Sequence, residues 1–134
     1  MRDHVKQYGA AGDWQKVAEH FEDYWVSEGA WESMPAKLRS AFLKSMPPVF
    51  HEWDAAMNET TTIDTWASLK AKTLVVYAAD TKRPIREIVE LFVDACPHWS
   101  FKEIAEGGHM APLFQPELVN PIVTEFLNSI DTSL

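Results

Sequence analysis

The stretch Lys72-Thr73-Leu74-Val75-Val76-Tyr77-Ala78 constrains the chain more than any other. It is a short, continuous apolar run rich in β-branched residues. It is too short for a helix and shows no apolar-polar alternation, so it reads as a strand buried on both faces. Fully burying each large apolar side chain of such a strand is worth roughly 1.5–3 kcal/mol. The sum over Leu74, Val75, Val76 and Tyr77 rivals the net stability of a whole domain, about 5–15 kcal/mol. Something must therefore cover this strand and pair with its edges.

The residues that follow say what part of that cover the chain holds. Asp80 to Arg83 form a polar loop, and Pro84 opens a helix with Ile85, Ile88, Val89 and Phe92 on its inward face. That helix ends before Pro97. Trp99 to Ile104 reads as a second strand, and Gly107, Gly108 and His109 as its exit loop. A last helix carries Leu118, Val119, Ile122, Val123, Phe126 and Leu127 on one side; Pro121 falls inside it, as a start or a kink. Strand, helix, strand implies a parallel pair, and parallel strands occur almost only in sheets covered by helices. Two strands make a poor sheet, so the segment reads as part of a larger one.

Residues before about 60 have a different character. Trp14, Val17, Phe21 and Tyr24 or Trp25 recur at helical spacing, with Asp13 as N-cap and Gly29 as stop. Leu38, Phe42, Met46, Val49, Trp53 and Met57 continue a helical stripe that Pro47 and Pro48 should break into two helices. Pro35 suits a first turn after Ser33. Such a stripe is packing surface in most proteins; the sharper alternative is a substrate pocket lined by aromatics and Met. The boundary between a helical region, 1–62, and a strand-helix-strand-helix region, 63–134, follows from this change of pattern.

Composition narrows the class. The chain has 134 residues and is 46% hydrophobic, which suits a single globular domain rather than a disordered one. Its net charge of −8, with no Lys/Arg cluster, makes nucleic acid an unsuitable partner. Cys96 stands alone, so no internal disulfide is expected, in keeping with a reducing compartment. The segment MRDHVKQYGA lacks the apolar core of a signal peptide, and no stretch is long enough to span a bilayer. The expectation is a cytoplasmic protein without membrane contact. The five histidines show no two at ligand spacing and no glycine-rich phosphate loop is present, so neither a metal nor another cofactor is expected.

In a parallel sheet all strands end at one edge. Asp80 lies just past the first strand and His109 just past the second, so both emerge on the rim where open α/β sheets bind ligands. A carboxylate beside an imidazole fixes its tautomer and stabilises its charged form, and the imidazole then deprotonates a nucleophile. The plainer alternatives are a turn-forming Asp and a surface His.

The segments KTLVVYAADTKRP and FKEIAEGGHMAPLFQPELVNPIVTEFL resemble the C-terminal third of α/β-hydrolase fold enzymes. In that family a core strand ends in a glycine-x-x-Asp turn with a proline four residues on. A last strand ends in Gly-His before an apolar stretch, QPE, and a helix closing on Phe-Leu. Asp80 and Pro84 match the first motif; Gly108, His109, Pro116, Phe126 and Leu127 match the second. Tyr77 stands where the family usually has glycine. The resemblance covers residues 69–130, and covers 13–58 loosely, as the family's helical cap. It implies the C-terminal part of an α/β-hydrolase parallel sheet with a helical cap, the N-terminal strands missing. It also implies Asp80 as the acid and His109 as the base of a triad. The pocket would be shaped by Trp14, Phe21, Trp25, Trp31, Phe42, Trp53 and Met110.

The family's nucleophile sits in a G-x-S-x-G elbow, and no serine here lies in such a turn. Cys96, in DACPHW, reads as a helix-terminus residue. The expected activity is hydrolysis of a small apolar ester, lactone or related carbonyl compound, with the nucleophile contributed by a missing N-terminal half, and with that half or a second copy completing the sheet. The chain alone should then be inactive. The alternative expectation is a non-catalytic α/β module that pairs with itself or with a partner chain.

Overall fold

The computed structural model describes residues 1–131, so Ser133 and the end of the predicted 63–134 region lie outside the described residues. Residues Met1–Thr60 form one compact unit, and a second begins at Thr61.

The first unit is entirely helical: α1 (Arg2–Ala10), α2 (Trp14–Trp25), α3 (Ala30–Ser33) and α4 (Ala36–Met57). Asp13 caps α2 as expected, its side chain accepting from the Lys16 amide at 3.3 Å. Gly29 does not stop α2, which ends at Trp25; with φ of 79° it serves instead as the N-cap of α3. Val5, Val17, Ala18, Trp31 and Met46 form the core, with Phe21, Phe42, Val49, Phe50 and Trp53 packed against it.

The expected break at Pro47-Pro48 does not occur, and α4 runs through both prolines. A proline inside a helix costs about 3 kcal/mol through its missing N–H and its clash with the preceding turn. Met46 before the pair is 1% exposed, and Val49, Phe50 and Trp53 after it pack on the same core. Packing of these side chains on one core from both sides of the proline pair holds the helix continuous against that cost.

The second unit contains α5 (Ile63–Ala67), β1 (Leu74–Ala78), α6 (Arg83–Ala95), β2 (Ser100–Ile104), α7 (Ala111–Phe114) and α8 (Pro116–Asp131). The two strands pair in parallel, in register from Leu74 with Ser100 to Ala78 with Ile104. Pro84 sits in the first turn of α6, where its lacking N–H costs nothing. Pro121 lies within α8, which already begins at Pro116. Ala78, Ile104, Ala111 and Val119 form the core here, with Val76, Leu118 and Ile122 against it.

This architecture corrects the expected fold class. About 65% of the described residues are helical, and the sheet has two five-residue strands. It is not an α/β-hydrolase sheet with a helical cap. The first-unit helices bury their apolar stripes against one another around their own core. A second correction concerns β1. Leu74 to Tyr77 are half-buried rather than buried on both faces, and only Ala78 is fully covered. With one neighbouring strand, the sheet leaves an outer edge on each strand unpaired among the described residues. Ile88, Leu91, Val93, Val123 and Leu127 correspondingly remain exposed on α6 and α8.

In the first unit His4 and His20 meet Nδ1 to Nδ1 at 3.2 Å across α1 and α2. Burial, and then the His4 imidazole, hold the His20 pKa below its ordinary value of 6.5, against the opposing pull of Asp23. The folded state thus binds fewer protons at His20 than the unfolded chain does. Stability contributed by this site is complete above pH 6.5 and is lost as pH falls through the lowered value. Denaturation midpoints of this unit, followed from pH 8 to about 5, should fall below pH 6.5 in the native chain and less steeply in His20→Gln. Equal slopes in both would refute the assignment.

Candidate functional site at the carboxyl edge of the strand pair

The C-terminal ends of β1 and β2 lie side by side, and the ladder extends one bond further, from the Ala79 amide to the Ile104 carbonyl at 2.9 Å. Asp80 follows immediately. Its Oδ1 accepts from the Gly108 amide at 2.8 Å, and its Oδ2 from the Gly107 amide at 3.3 Å. The shared direction of the two strands therefore brings the acid of one exit loop onto the glycine turn of the other. Hydrogen bonds to an ionised acceptor are roughly twice as strong as neutral ones. One carboxylate holding two successive amides thus fixes the turn immediately before His109. Gly107, at φ 110°, adopts a backbone conformation that residues with a side chain rarely take.

The turn delivers His109 to the rim of an apolar cavity of about 290 Å³. Gly108, His109 and Thr81 lie at its strand-exit side, and Val76, Ile85 and Val89 line its body. His109 is exposed, as befits a group at a mouth rather than in a core. Asp80 is also exposed, and the contacts that define it are to the backbone of the histidine's turn. Tyr77, where the hydrolase family usually has glycine, lines the cavity as well; burial, and then Glu103, push its phenol pKa up.

Of the other expected site residues, Trp14, Phe21, Trp25, Trp31, Phe42 and Trp53 belong to the first unit and Met110 to the second. Trp31 is in the core of the first unit, with Trp14, Phe21, Phe42 and Trp53 packed on that core. Trp25 stacks at a tilt on Phe21, their centroids 6.2 Å apart, and Phe21 and Trp31 both meet Phe42. Those aromatics gather with one another. Met110 is the N-cap of α7, directly after His109.

Two arrangements carried no sequence signal. His4 and His20 are 16 residues apart on different helices, so their meeting depends on how α1 docks on α2. Thr81 lies in a polar loop of the kind that is ordinarily solvated, yet it is 4% exposed. Among the described residues, no group of three or more His, Cys, Asp or Glu is placed to hold a metal ion, and no helix is long and apolar enough to cross a membrane.

The second unit is thus a small strand-helix-strand-helix body with a carboxylate-clamped histidine turn at the mouth of an apolar cavity. No protein-family model, curated protein or solved structure matches the chain.

Proposed function

We propose that this chain supplies the general-base end of an acyl-transfer site for a small apolar ester, lactone or related carbonyl compound. His109 takes a proton from a hydroxyl that attacks the carbonyl carbon, then returns it to the departing alkoxide. Asp80 positions His109 by holding the amides of Gly107 and Gly108. The hydroxyl comes from outside residues 1–134, because no serine among them stands in a glycine-flanked elbow. The observation that supports this reading most is the clamp itself, a charged group spent on orienting the two residues that precede an exposed histidine beside an apolar cavity. The likeness of the two segments to hydrolase sequences supports it independently of the fold.

Affinity labelling tests the reading without the missing nucleophile. An apolar chloromethyl ketone held in the cavity should alkylate His109. An imidazole nitrogen attacks the methylene carbon, the carbon-chlorine bond breaks, chloride leaves, and the imidazole gives up its proton. His51 and His98 are exposed controls in the same chain. Peptide mapping by mass spectrometry should show saturable labelling of His109, about tenfold or more faster than of either control, because the reagent is held beside it. Equal, non-saturable labelling of all three would refute the proposal.

A further inference from the structure

The first unit brings together two metal-ligating side chains that the chemistry at His109 does not use. His4 on α1 and His20 on α2 meet with their Nδ1 atoms 3.2 Å apart, their ring centroids 4.2 Å apart and their planes at 55°. One Nδ1 donates the single hydrogen between them and the other accepts it. The pair is accessible, His4 being exposed and His20 half-buried. It stands at a cavity of about 290 Å³ that Tyr8, Lys16, Glu19 and Asp23 also line.

The separation of the two nitrogens fits one kind of ion. Zinc holds imidazole nitrogens at about 2.0–2.1 Å in a tetrahedral set, which puts two of its ligands about 3.3–3.4 Å apart. Neighbouring ligands of a square-planar ion at the same bond length stand only about 2.8–3.0 Å apart. Magnesium and calcium take oxygen ligands instead. The charges round the cavity suit a cation. Glu19 and Asp23 flank His20 along α2, and the Lys16 ammonium is paired with Asp13 at 3.2 Å. Asp23 is held in place by the Trp31 amide, from which its Oδ1 accepts at 2.9 Å. Carboxylates beside a metal site accept hydrogen bonds from the groups bound to the ion. One feature weakens the site. Zinc at Nδ1 leaves the His20 ring hydrogen on Nε2, which is buried without a partner among the described residues. The ion is therefore held less firmly than in a closed four-ligand site.

We propose that His4 and His20 form a two-histidine zinc site, each giving the lone pair of its Nδ1, with water completing the tetrahedral set. The ring that carried its hydrogen on Nδ1 carries it on Nε2 once the ion is bound. This site belongs to the first unit and stands independently of the role given to His109.

The test adds zinc chloride to the full chain at neutral pH, with binding followed by calorimetry and by NMR of the imidazole protons. A single ion should bind per chain in a saturable way, shifting the signals of His4 and His20 together and leaving those of His51, His98 and His109 in place. Magnesium chloride should shift none of them. His4→Gln should weaken zinc binding about tenfold or more, since loss of a ligand costs at least as much as loss of a group supporting one. His20→Gln should do the same, and His51→Gln and His98→Gln should leave the affinity unchanged. Zinc should also raise the melting temperature of the native chain and not that of His4→Gln. No saturable binding, shifts at the other histidines in place of these two, or an affinity unchanged in His4→Gln would overturn the proposal. His4 is exposed, so His4→Gln decides the matter if His20→Gln does not fold.

Discussion

Gly107→Ala is expected to destabilise the second unit by about 2–6 kcal/mol, whereas Gly108→Ala one residue on should cost only about 1–2 kcal/mol. Gly107 has φ of 110°, a conformation that strains any side chain, at about 1–3 kcal/mol. A Cβ there would also stand 2.8 Å from the Cβ of Ala111 and press on Gln115. Gln115 is flexible, but Ala111 is 2% exposed and fixed in α7, so the backbone must shift. Overpacking of this kind adds about 1–3 kcal/mol. Gly108, at φ 55°, lies in the left-handed region, and a Cβ there would meet nothing within 4 Å. Urea denaturation of the two variants, followed by fluorescence of Trp66 and Trp99 with the first-unit tryptophans replaced, checks the contrast. Equal losses would mean that the turn preceding His109 is not built as described.

Met46→Ala should produce a comparable loss in the first unit, about 2–5 kcal/mol. Met46 is 1% exposed, at the centre of a core shared by α1, α2, α3 and α4. Truncation there removes the transfer free energy of the buried atoms and leaves a cavity that Pro47 hinders from collapsing. A 60-residue body has only about 3–9 kcal/mol of net stability at 0.05–0.15 kcal/mol per residue. The variant should therefore leave this unit largely unfolded on mild heating. Met46→Leu conserves volume and should cost less than about 1.5 kcal/mol. Leu38→Ala, in the same helix but 57% exposed, should stay within about 0.5 kcal/mol. Circular dichroism melts of the three variants give the comparison. A mild effect of Met46→Ala would show that α4 does not cross the core as one helix.

The contrast between Met46 and its prolines shows where sequence reasoning succeeds and where it stops. β1 was legible because five consecutive apolar residues with two adjacent valines have few other uses, and α6 because Pro84 and an apolar stripe mark its start and face. That the exit loops of Asp80 and His109 share one edge was legible because chain direction alone puts both there, whereas the bonds from the glycine amides to the Asp80 carboxylate carried no sequence signal. Continuity through Pro47-Pro48 was not, because local propensity argues for a break and only the shared core on both sides overrides it. The hydrolase sheet was over-read for a physical reason. Two matching exit turns specify local geometry at strand ends, and they carry no information on how many strands stand beside them. The aromatic positions Trp14 to Trp53 were ambiguous because core and pocket share one periodicity. Thr81 was invisible because burial of a loop residue is decided by what folds over it.

The placement of His109 depends on one contact more than any other, the carboxylate of Asp80 on the amides of Gly107 and Gly108. An NMR pH titration reads it directly, since an amide proton bonded to a carboxylate shifts when that carboxylate takes up a proton. Both glycine amide protons should move together on acidification of the native chain, and neither should move in this way in Asp80→Asn. Glycine amides that ignore acidification, or that respond identically in Asp80→Asn, would contradict the clamp and with it the placement of His109.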